Sequence, residues 1–200
     1  MLVLATGVAV ADSELQAALR LVPDPARGAE VYALCSNCHR EDGHGHEDGT
    51  FPAIAGQHRK VILKQLADIR ARDRDNPTMY PFSDPAVIGG SQAVADVAAY
   101  IATLPANPSP GTGPGVDLEG AKQLYTDHCA GCHGHRGEGN NDAFFPRISG
   151  QHYTYLQTQM TWVRDGRRRN ANWAMVAQLK GFTDQEISAV ADYVSRLSQE

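Results

Sequence analysis

The sequence contains one short motif twice, CSNCH at residues 35–39 and CAGCH at residues 129–133, and the two copies use all four cysteines of the 200-residue chain. Two cysteines separated by two residues and followed directly by a histidine are the attachment signature of c-type haem. The thiols form thioethers with the haem vinyl groups, and the histidine is placed to bind the iron. We therefore predict two haem c groups per chain, attached by Cys35, Cys38, Cys129 and Cys132, with His39 and His133 as iron ligands.

Other interpretations of a paired-cysteine motif fit this chain less well. A zinc ribbon has about 15–20 residues between its two pairs, whereas 90 residues separate Cys38 from Cys129. A thioredoxin-like pair belongs to a βαβ pattern, which the sequence does not show. Two structural disulfides would not explain why a histidine directly follows each pair.

The two motifs belong to an internal repeat. A shift of 94 residues places FPAIAGQH at residues 51–58 on FPRISGQH at residues 145–152. Between the copies the chain is rich in Pro and Gly, as is typical of a linker. We predict two tandem domains, residues 12–104 and 117–200, joined by a linker at residues 105–116.

Each copy is predicted to be helical. Apolar residues recur at i, i+3, i+4 and i+7 in the last segment of each copy, for example from Val94 to Ile101, which indicates an amphipathic helix. Thr183 and Glu186 have the spacing of a capping box at the start of that helix in the second copy, and Ser91 is the expected cap in the first. No stretch alternates apolar and polar residues for long enough to indicate a sheet. The predicted fold class is all-α.

Three methionines are candidates for the second axial position of the iron. A shift of 96 residues superposes Met79 on Met175, and each lies about 40 residues after its motif histidine. A thioether is a familiar haem ligand, so we predict Met79 and Met175 as ligands and Met160, which falls within a helix, as a core residue. Two alternatives stay open: Met79 and Met175 could only fill the core, or His58 and His152, another matched pair, could give bis-histidine sites.

Composition and the N-terminus narrow the class of protein. With 42% hydrophobic and 20% charged residues the chain is typical of a globular protein, and a net charge of −5 does not suggest a nucleic-acid partner. Residues 1–11, MLVLATGVAVA, resemble the apolar region and cleavage site of a secretory signal. We predict that they are the remnant of an export signal, with a helical or disordered tail as the alternative. Eleven residues are fewer than the ~20 that span a bilayer.

The order of these features resembles the dihaem cytochrome c4 family over residues 26–197: the CxxCH motif, FPxIxGQ, a matched methionine and a terminal amphipathic helix. The resemblance implies two class I cytochrome c domains related by a pseudo-two-fold axis, each with histidine–methionine iron. It also implies that Pro52 and Pro146 present their carbonyl groups to the ring N–H groups of the motif histidines. One departure is Arg40, which stands where the family usually has the glycine found at Gly134, and it leaves the loop geometry of the first domain open.

The same resemblance implies a periplasmic electron carrier rather than an enzyme. It would pass electrons from a dehydrogenase or quinol-oxidising complex to a terminal oxidase or other acceptor, as a monomer without a membrane span, with redox proteins as partners. The alternative is an electron-accepting subunit of a redox enzyme complex, for example of a sulfur-compound dehydrogenase. A thiosulfate dehydrogenase is expected to use an additional cysteine ligand, and a peroxidase to keep one iron open. Neither fits four cysteines and two matched methionines.

Two surface features have more than one interpretation. The basic run at residues 166–169, GRRR, either contacts haem propionates or a partner, or is a solvated helix end. Trp162 and Trp173 are expected to pack near the second haem.

Overall fold

A computed structural model of the chain describes the backbone of residues 6–197 and the side chains of residues 13–197. This part of the chain is helical, and its only β contact is an isolated bridge between Asn140 and Phe145. The prediction of an all-α fold is confirmed. Within residues 6–197, no helix is both long and apolar enough to cross a membrane.

The first domain contains six helices in the described part of the chain, and two of them cross at close range. Its helices are α1 (Thr6–Arg20), α2 (Pro25–His39), α3 (Arg59–Arg70), α4 (Tyr80–Ser83), α5 (Pro85–Ile88) and α6 (Ser91–Thr103). Asp24 caps α2 by accepting hydrogen bonds from the N–H groups of Ala26 and Arg27. Where α2 crosses α6, a Cβ atom on Gly28 would lie 2.2 Å from the carbonyl oxygen of Asp96. Only glycine allows the two backbones to approach this closely.

In the second domain the first and the last helix are likewise in contact. Its helices are α7 (Leu118–His128), α8 (Ala130–His133), α9 (Tyr153–Arg164), α10 (Trp173–Leu179) and α11 (Asp184–Ser195). Met160 is buried in its core together with Leu156 and Ile187, as the repeat predicts. The capping box of Thr183 and Glu186 is present at the start of α11.

The predicted cap of the last helix in the first domain is wrong. Gly90 occupies the capping position of α6, and Ser91 is already the first helical residue without a side-chain capping bond. The chain enters this helix through Gly89, which has a φ of 92°, a backbone angle that glycine adopts without strain. The helix therefore begins one residue earlier than a serine cap would place it.

A buried aspartate on the last helix of each domain accepts a hydrogen bond from the backbone near the start of that domain. Asp96 accepts a hydrogen bond from the backbone N–H of Asp24 at 2.7 Å. In the second domain Asp192, at the matching position, accepts one from the N–H of Gly113 at 3.0 Å, and Arg196 donates to the carbonyl of Gly113 at 2.7 Å. The segment predicted as a linker is thus held against the second domain.

Sequence periodicity did not predict α1, which belongs to the first domain. Leu15 and Ala18 are buried in the same apolar cluster as Leu63 and Ala67. Of the predicted signal remnant, residues 1–11, the first five residues lie outside the described part of the chain. From Thr6 the backbone is helical and runs without a break into the packed part of α1. Cleavage after residue 11 remains a prediction.

Candidate haem sites and the contact between them

The two motif histidines have matching surroundings. Both rings are buried. Nδ1 of His39 lies 2.9 Å from the carbonyl oxygen of Pro52, and Nδ1 of His133 lies 3.0 Å from that of Pro146. Because a carbonyl oxygen only accepts, Nδ1 carries the proton in both rings and Nε2 keeps its lone pair. Burial lowers the pKa of both histidines below the ordinary value, which favours the neutral imidazole that binds metals.

The four cysteines are free thiols, and none is paired in a disulfide. Burial raises the pKa of Cys35 and of Cys129 to about 11. Catalytic dithiols of the thioredoxin kind need the opposite shift, because the thiolate is the attacking species. The environment of Cys35 and Cys129 therefore argues against a redox-active dithiol.

The chain leaves the two haem motifs in the same conformation. Arg40 has φ 68° and ψ 164°, and Gly134 has φ 79° and ψ 163°. The carbonyl of each accepts a hydrogen bond from a buried tyrosine, Tyr32 at 2.8 Å and Tyr125 at 2.5 Å. The loop geometry that the Arg40 departure left open is thus the same in both domains, with an arginine held in a region that glycine normally occupies.

The candidate methionines occupy partly buried positions, Met79 after α3 and Met175 after α9. Met79 directly precedes α4, and Met175 lies within α10 and packs against the core of the second domain. The expectation that Trp173 packs near the second haem stays a prediction, and the protein atoms alone leave the side chain of Trp173 82% exposed. It is the first residue of α10, where only Leu179 is fully buried, and so it lies off the packed face.

His58 and His152 contact the opposite domain. Nε2 of His58 lies 2.8 Å from the carbonyl oxygen of Glu138, and Nε2 of His152 lies 2.7 Å from that of His44. Nδ1 of His152 in addition accepts a hydrogen bond from the N–H of Gly111 at 3.0 Å. Both ring nitrogens of His152 therefore form hydrogen bonds, and Nε2 of His58, like Nε2 of His152, is within hydrogen-bond distance of a backbone carbonyl oxygen. This arrangement disfavours the bis-histidine alternative.

Two matched glutamines clasp the domains together. Gln57 donates through Nε2 to the carbonyl of Arg147 at 2.8 Å and accepts through Oε1 from its N–H at 2.9 Å. Gln151 forms the same pair of bonds with Ala53, at 2.8 Å and 3.0 Å. A shift of 94 residues relates each atom pair to the other, so the contact is two-fold symmetric.

A polar cluster lies beside this clasp. Arg74 donates to Gln65 at 2.8 Å and to Gln159 at 3.4 Å, and Arg168 donates to Gln159 at 2.9 Å and to Gln65 at 3.1 Å. Removal from water, followed by the charge of Arg74, lowers the pKa of Arg168 to about 10. The central arginine of the basic run is therefore an interdomain residue and not part of a solvated helix end.

One loop of the second domain reaches further into the first. Asn141 accepts a hydrogen bond from the backbone N–H of Lys60 at 3.2 Å, and Asp142 is 2.7 Å from its ammonium group. Phe144 packs against the apolar core of the first domain and has a φ of 59°. A phenylalanine in this left-handed region is uncommon, and here it places the ring across the interface.

The interface residues were visible in the sequence as matched pairs but were not recognised. Gln57 with Gln151 and His58 with His152 repeat as clearly as the cysteines do. A repeated polar residue can bind the prosthetic group of its own domain or the facing domain, and spacing alone does not separate these roles.

Comparison with known proteins agrees with this architecture. The cytochrome c family profile matches the chain twice, at residues 25–105 and 118–198. Cytochrome c4 of Thiocapsa roseopersicina is 36% identical over 92% of this chain and 98% of its own length. The thiosulfate dehydrogenase electron acceptor of Stutzerimonas stutzeri strain A1501 is 33% identical, over 86% of this chain and 83% of its own. The crystal structure of reduced recombinant cytochrome c4 from Pseudomonas stutzeri matches with a TM-score of 0.77 at 30% identity, covering 88% of this chain and 100% of that one.

Proposed function

The chain belongs to the cytochrome c family, as a dihaem electron-transfer cytochrome of the c4 type, and on that basis we propose that both irons are six-coordinate. His39 and Met79 would bind the first iron, and His133 and Met175 the second. The observation that carries the proposal is the duplicated neutral histidine, whose Nδ1–H is committed to a proline carbonyl while Nε2 stays available. Pro52 and Pro146 thereby fix the orientation of the two ligands.

The residues present fit a haem in each domain. Four free thiols beside two neutral histidines are the donor set that covalent attachment requires. Among the described residues, Nε of Arg147 is buried without a hydrogen-bond partner, and Arg74 and Arg168 bring two guanidinium groups close together. Haem supplies one-electron chemistry at iron and carries two propionates. We assign these arginines to balancing the propionate charge.

We propose a carrier rather than an enzyme. An iron that performs chemistry on a substrate needs an open or exchangeable position, and each domain offers a methionine for that position. A methionine ligand also raises the reduction potential of haem iron, which suits a late place in an electron-transfer chain. Donor and acceptor would be redox proteins, either free or part of a membrane-bound complex, and the carrier itself would be a monomer.

A second candidate function is that of electron acceptor to a sulfur-compound dehydrogenase. It is favoured by the comparisons, above all by the 33% identity to a protein named thiosulfate dehydrogenase electron acceptor. Such a role uses the same two haems and differs only in the donor.

The proposed location is the periplasm, because haem is attached to c-type cytochromes outside the cytoplasm. Residues 1–11 would belong to the export signal, residues 12–104 and 117–200 to the two domains, and residues 105–116 to the linker.

Three measurements test the proposed function. Protein matured in a periplasm should carry two covalent haems by mass spectrometry, and its ferrous form should not bind carbon monoxide, because both axial positions are filled. The reduced protein should give up its electrons to an oxidase or another cytochrome. A single haem, or rapid binding of carbon monoxide to the native protein, would contradict it.

A further inference from the structure

Each motif histidine is connected through one peptide group to a glutamine of the opposite domain. The carbonyl of Pro52 and the N–H of Ala53 belong to the same peptide group. Its oxygen accepts from Nδ1–H of His39 at 2.9 Å, and its N–H donates to Oε1 of Gln151 at 3.0 Å. Because a peptide group is delocalised, an acceptor on its N–H increases the negative charge on its oxygen.

The second domain contains the equivalent chain of hydrogen bonds, related to the first by the two-fold symmetry of the contact. Nδ1–H of His133 donates to the carbonyl of Pro146 at 3.0 Å, and the N–H of the same peptide group, which belongs to Arg147, donates to Oε1 of Gln57 at 2.9 Å. The connection crosses the interface in both directions, so the glutamine of each domain is hydrogen-bonded to the peptide group that holds the histidine of the other.

The glutamine oxygens are fixed in this role. The Nε2 atom of each glutamine donates to the next carbonyl along, that of Ala53 or Arg147, at 2.8 Å. Oε1 also accepts from the backbone N–H of the residue that follows the glutamine, at 3.0 Å in both domains. With the amide donating to a carbonyl and accepting from two N–H groups, its orientation is defined without ambiguity.

The geometry points to Gln57 and Gln151 as positioning residues that tune the haem of the opposite domain. Hydrogen bonds in a chain strengthen one another by about 10–30% per bond. A stronger acceptor on Nδ1–H gives the imidazole more imidazolate character, raises its basicity as a ligand and stabilises ferric over ferrous iron. Gln151 therefore lowers the reduction potential of the haem bound by His39, and Gln57 that of the haem bound by His133. This inference rests on the proposal that these histidines bind iron.

The test compares Gln151→Met with Gln57→Met in the full-length holoprotein. Methionine keeps the length of the side chain and removes the acceptor. The potential of each haem is followed by NMR during a redox titration, with haem signals assigned from Met79→Ala and Met175→Ala. Gln151→Met should decrease the ratio of oxidised to reduced first haem about two- to fourfold at a fixed ambient potential and leave the second haem unchanged. Gln57→Met should do the reverse.

Asn141→Ala is the matched control, because it removes an interdomain hydrogen bond outside the relay. It should move neither potential. Gln151→Glu keeps an acceptor oxygen and adds charge, so it should lower the potential of the first haem and serves as the second variant if the methionine variant does not fold. Equal shifts of both haems in each methionine variant, or a shift confined to the domain that carries the substitution, would overturn the inference. Failure of the proposed ligation can be recognised separately. If His39 does not bind iron, the haem spectrum of His39→Ala will be the same as that of the native protein.

Discussion

The two domains have the same surroundings for their motif histidines, but they differ in how they cover one helix, which is α3 in the first domain and α9 in the second. In the first domain α1 packs over α3, where Leu63 and Ala67 are fully buried. At the matching positions the second domain has Gln157 and Thr161, which are partly exposed. A polar surface on α9 does not need a covering helix. The comparison teaches that the residues around the haem ligands are kept in duplicate, whereas the outer faces have been fitted separately.

The domains also differ in the loop that each extends to the other. The second domain packs the partly buried Phe144 against the core of the first, while the matching residue of the first domain, Thr50, is exposed. The clasp of hydrogen bonds is two-fold symmetric, but the apolar contact is one-sided. We therefore expect the two domains to respond alike to changes at the iron and unequally to changes in the apolar part of the interface.

Loss of an axial ligand should have the largest effect and be equal in the two domains. Met79→Ala and Met175→Ala should each open one iron, abolish the methionine-to-iron charge-transfer band of that domain and lower its reduction potential. Met160→Leu is the control and should do neither, since it conserves volume in the core. Optical spectra and redox titration of the three variants measure this. Loss of the band in Met160→Leu but not in Met175→Ala would show that the repeat alignment is wrong in this region.

Shortening Phe144 should separate the domains in stability. Phe144→Ala removes a partly buried apolar side chain packed against the core of the first domain, at a cost of about 2 kcal/mol in the free energy of unfolding. Thr50→Ala, its mirror, should change stability by less than about 0.5 kcal/mol because the residue is exposed. Urea unfolding of both variants provides the measurement. Equal losses would mean that the apolar contact contributes nothing specific.

The residue after each haem histidine offers a test of backbone strain. Arg40→Gly should stabilise the first domain by about 1 kcal/mol, because the arginine is held at φ 68° in a region that is costly for any residue with a Cβ. Gly134→Ala should destabilise the second domain by a similar amount or more. Thermal unfolding monitored at the haem band would report both changes. If Arg40→Gly lowered stability, the salt bridge of Arg40 with Asp42 would outweigh the strain.

The smallest expected effect concerns pH and the linker. Burial lowers the pKa of His152, and the hydrogen bond to His44 and the carboxylates of Glu47 and Asp48 act in the opposite direction. A histidine with a lower pKa in the folded than in the unfolded state binds fewer protons when folded. Its contribution to stability is therefore complete above about pH 6.5 and declines as the pH falls below that value.

Protonation of Nδ1 would also place a second donor against the N–H of Gly111. Stability measured between pH 7.5 and pH 5 should contain this component in the native protein and lack it in His152→Ala. Identical pH profiles for the two proteins would exclude a role for this histidine.

The sequence contained most of the haem site because attachment chemistry dictates residue types at fixed spacing. Cys35 to His39 and its repeat could be interpreted without a fold, and the capping box at Thr183 is local in the same way. The packing of α1 on the first domain was not predicted, because the apolar start of this helix resembles a signal peptide. The roles of Gln57 and His58 escaped because their partners are backbone atoms of a distant segment, which no side-chain pattern encodes.

The clasp between the domains has a consequence for the history of the chain. Each domain contributes the same donors and acceptors to it, as in an isologous contact, which needs only one kind of subunit. A protein consisting of a single such domain would present Gln57 and the backbone of Ala53 to a second copy of itself. Duplication in tandem would then convert a concentration-dependent pair into a permanent one by raising the effective concentration of the partner. Once the halves were covalently joined they no longer needed to remain identical, so that one could acquire Phe144 and the other Arg40.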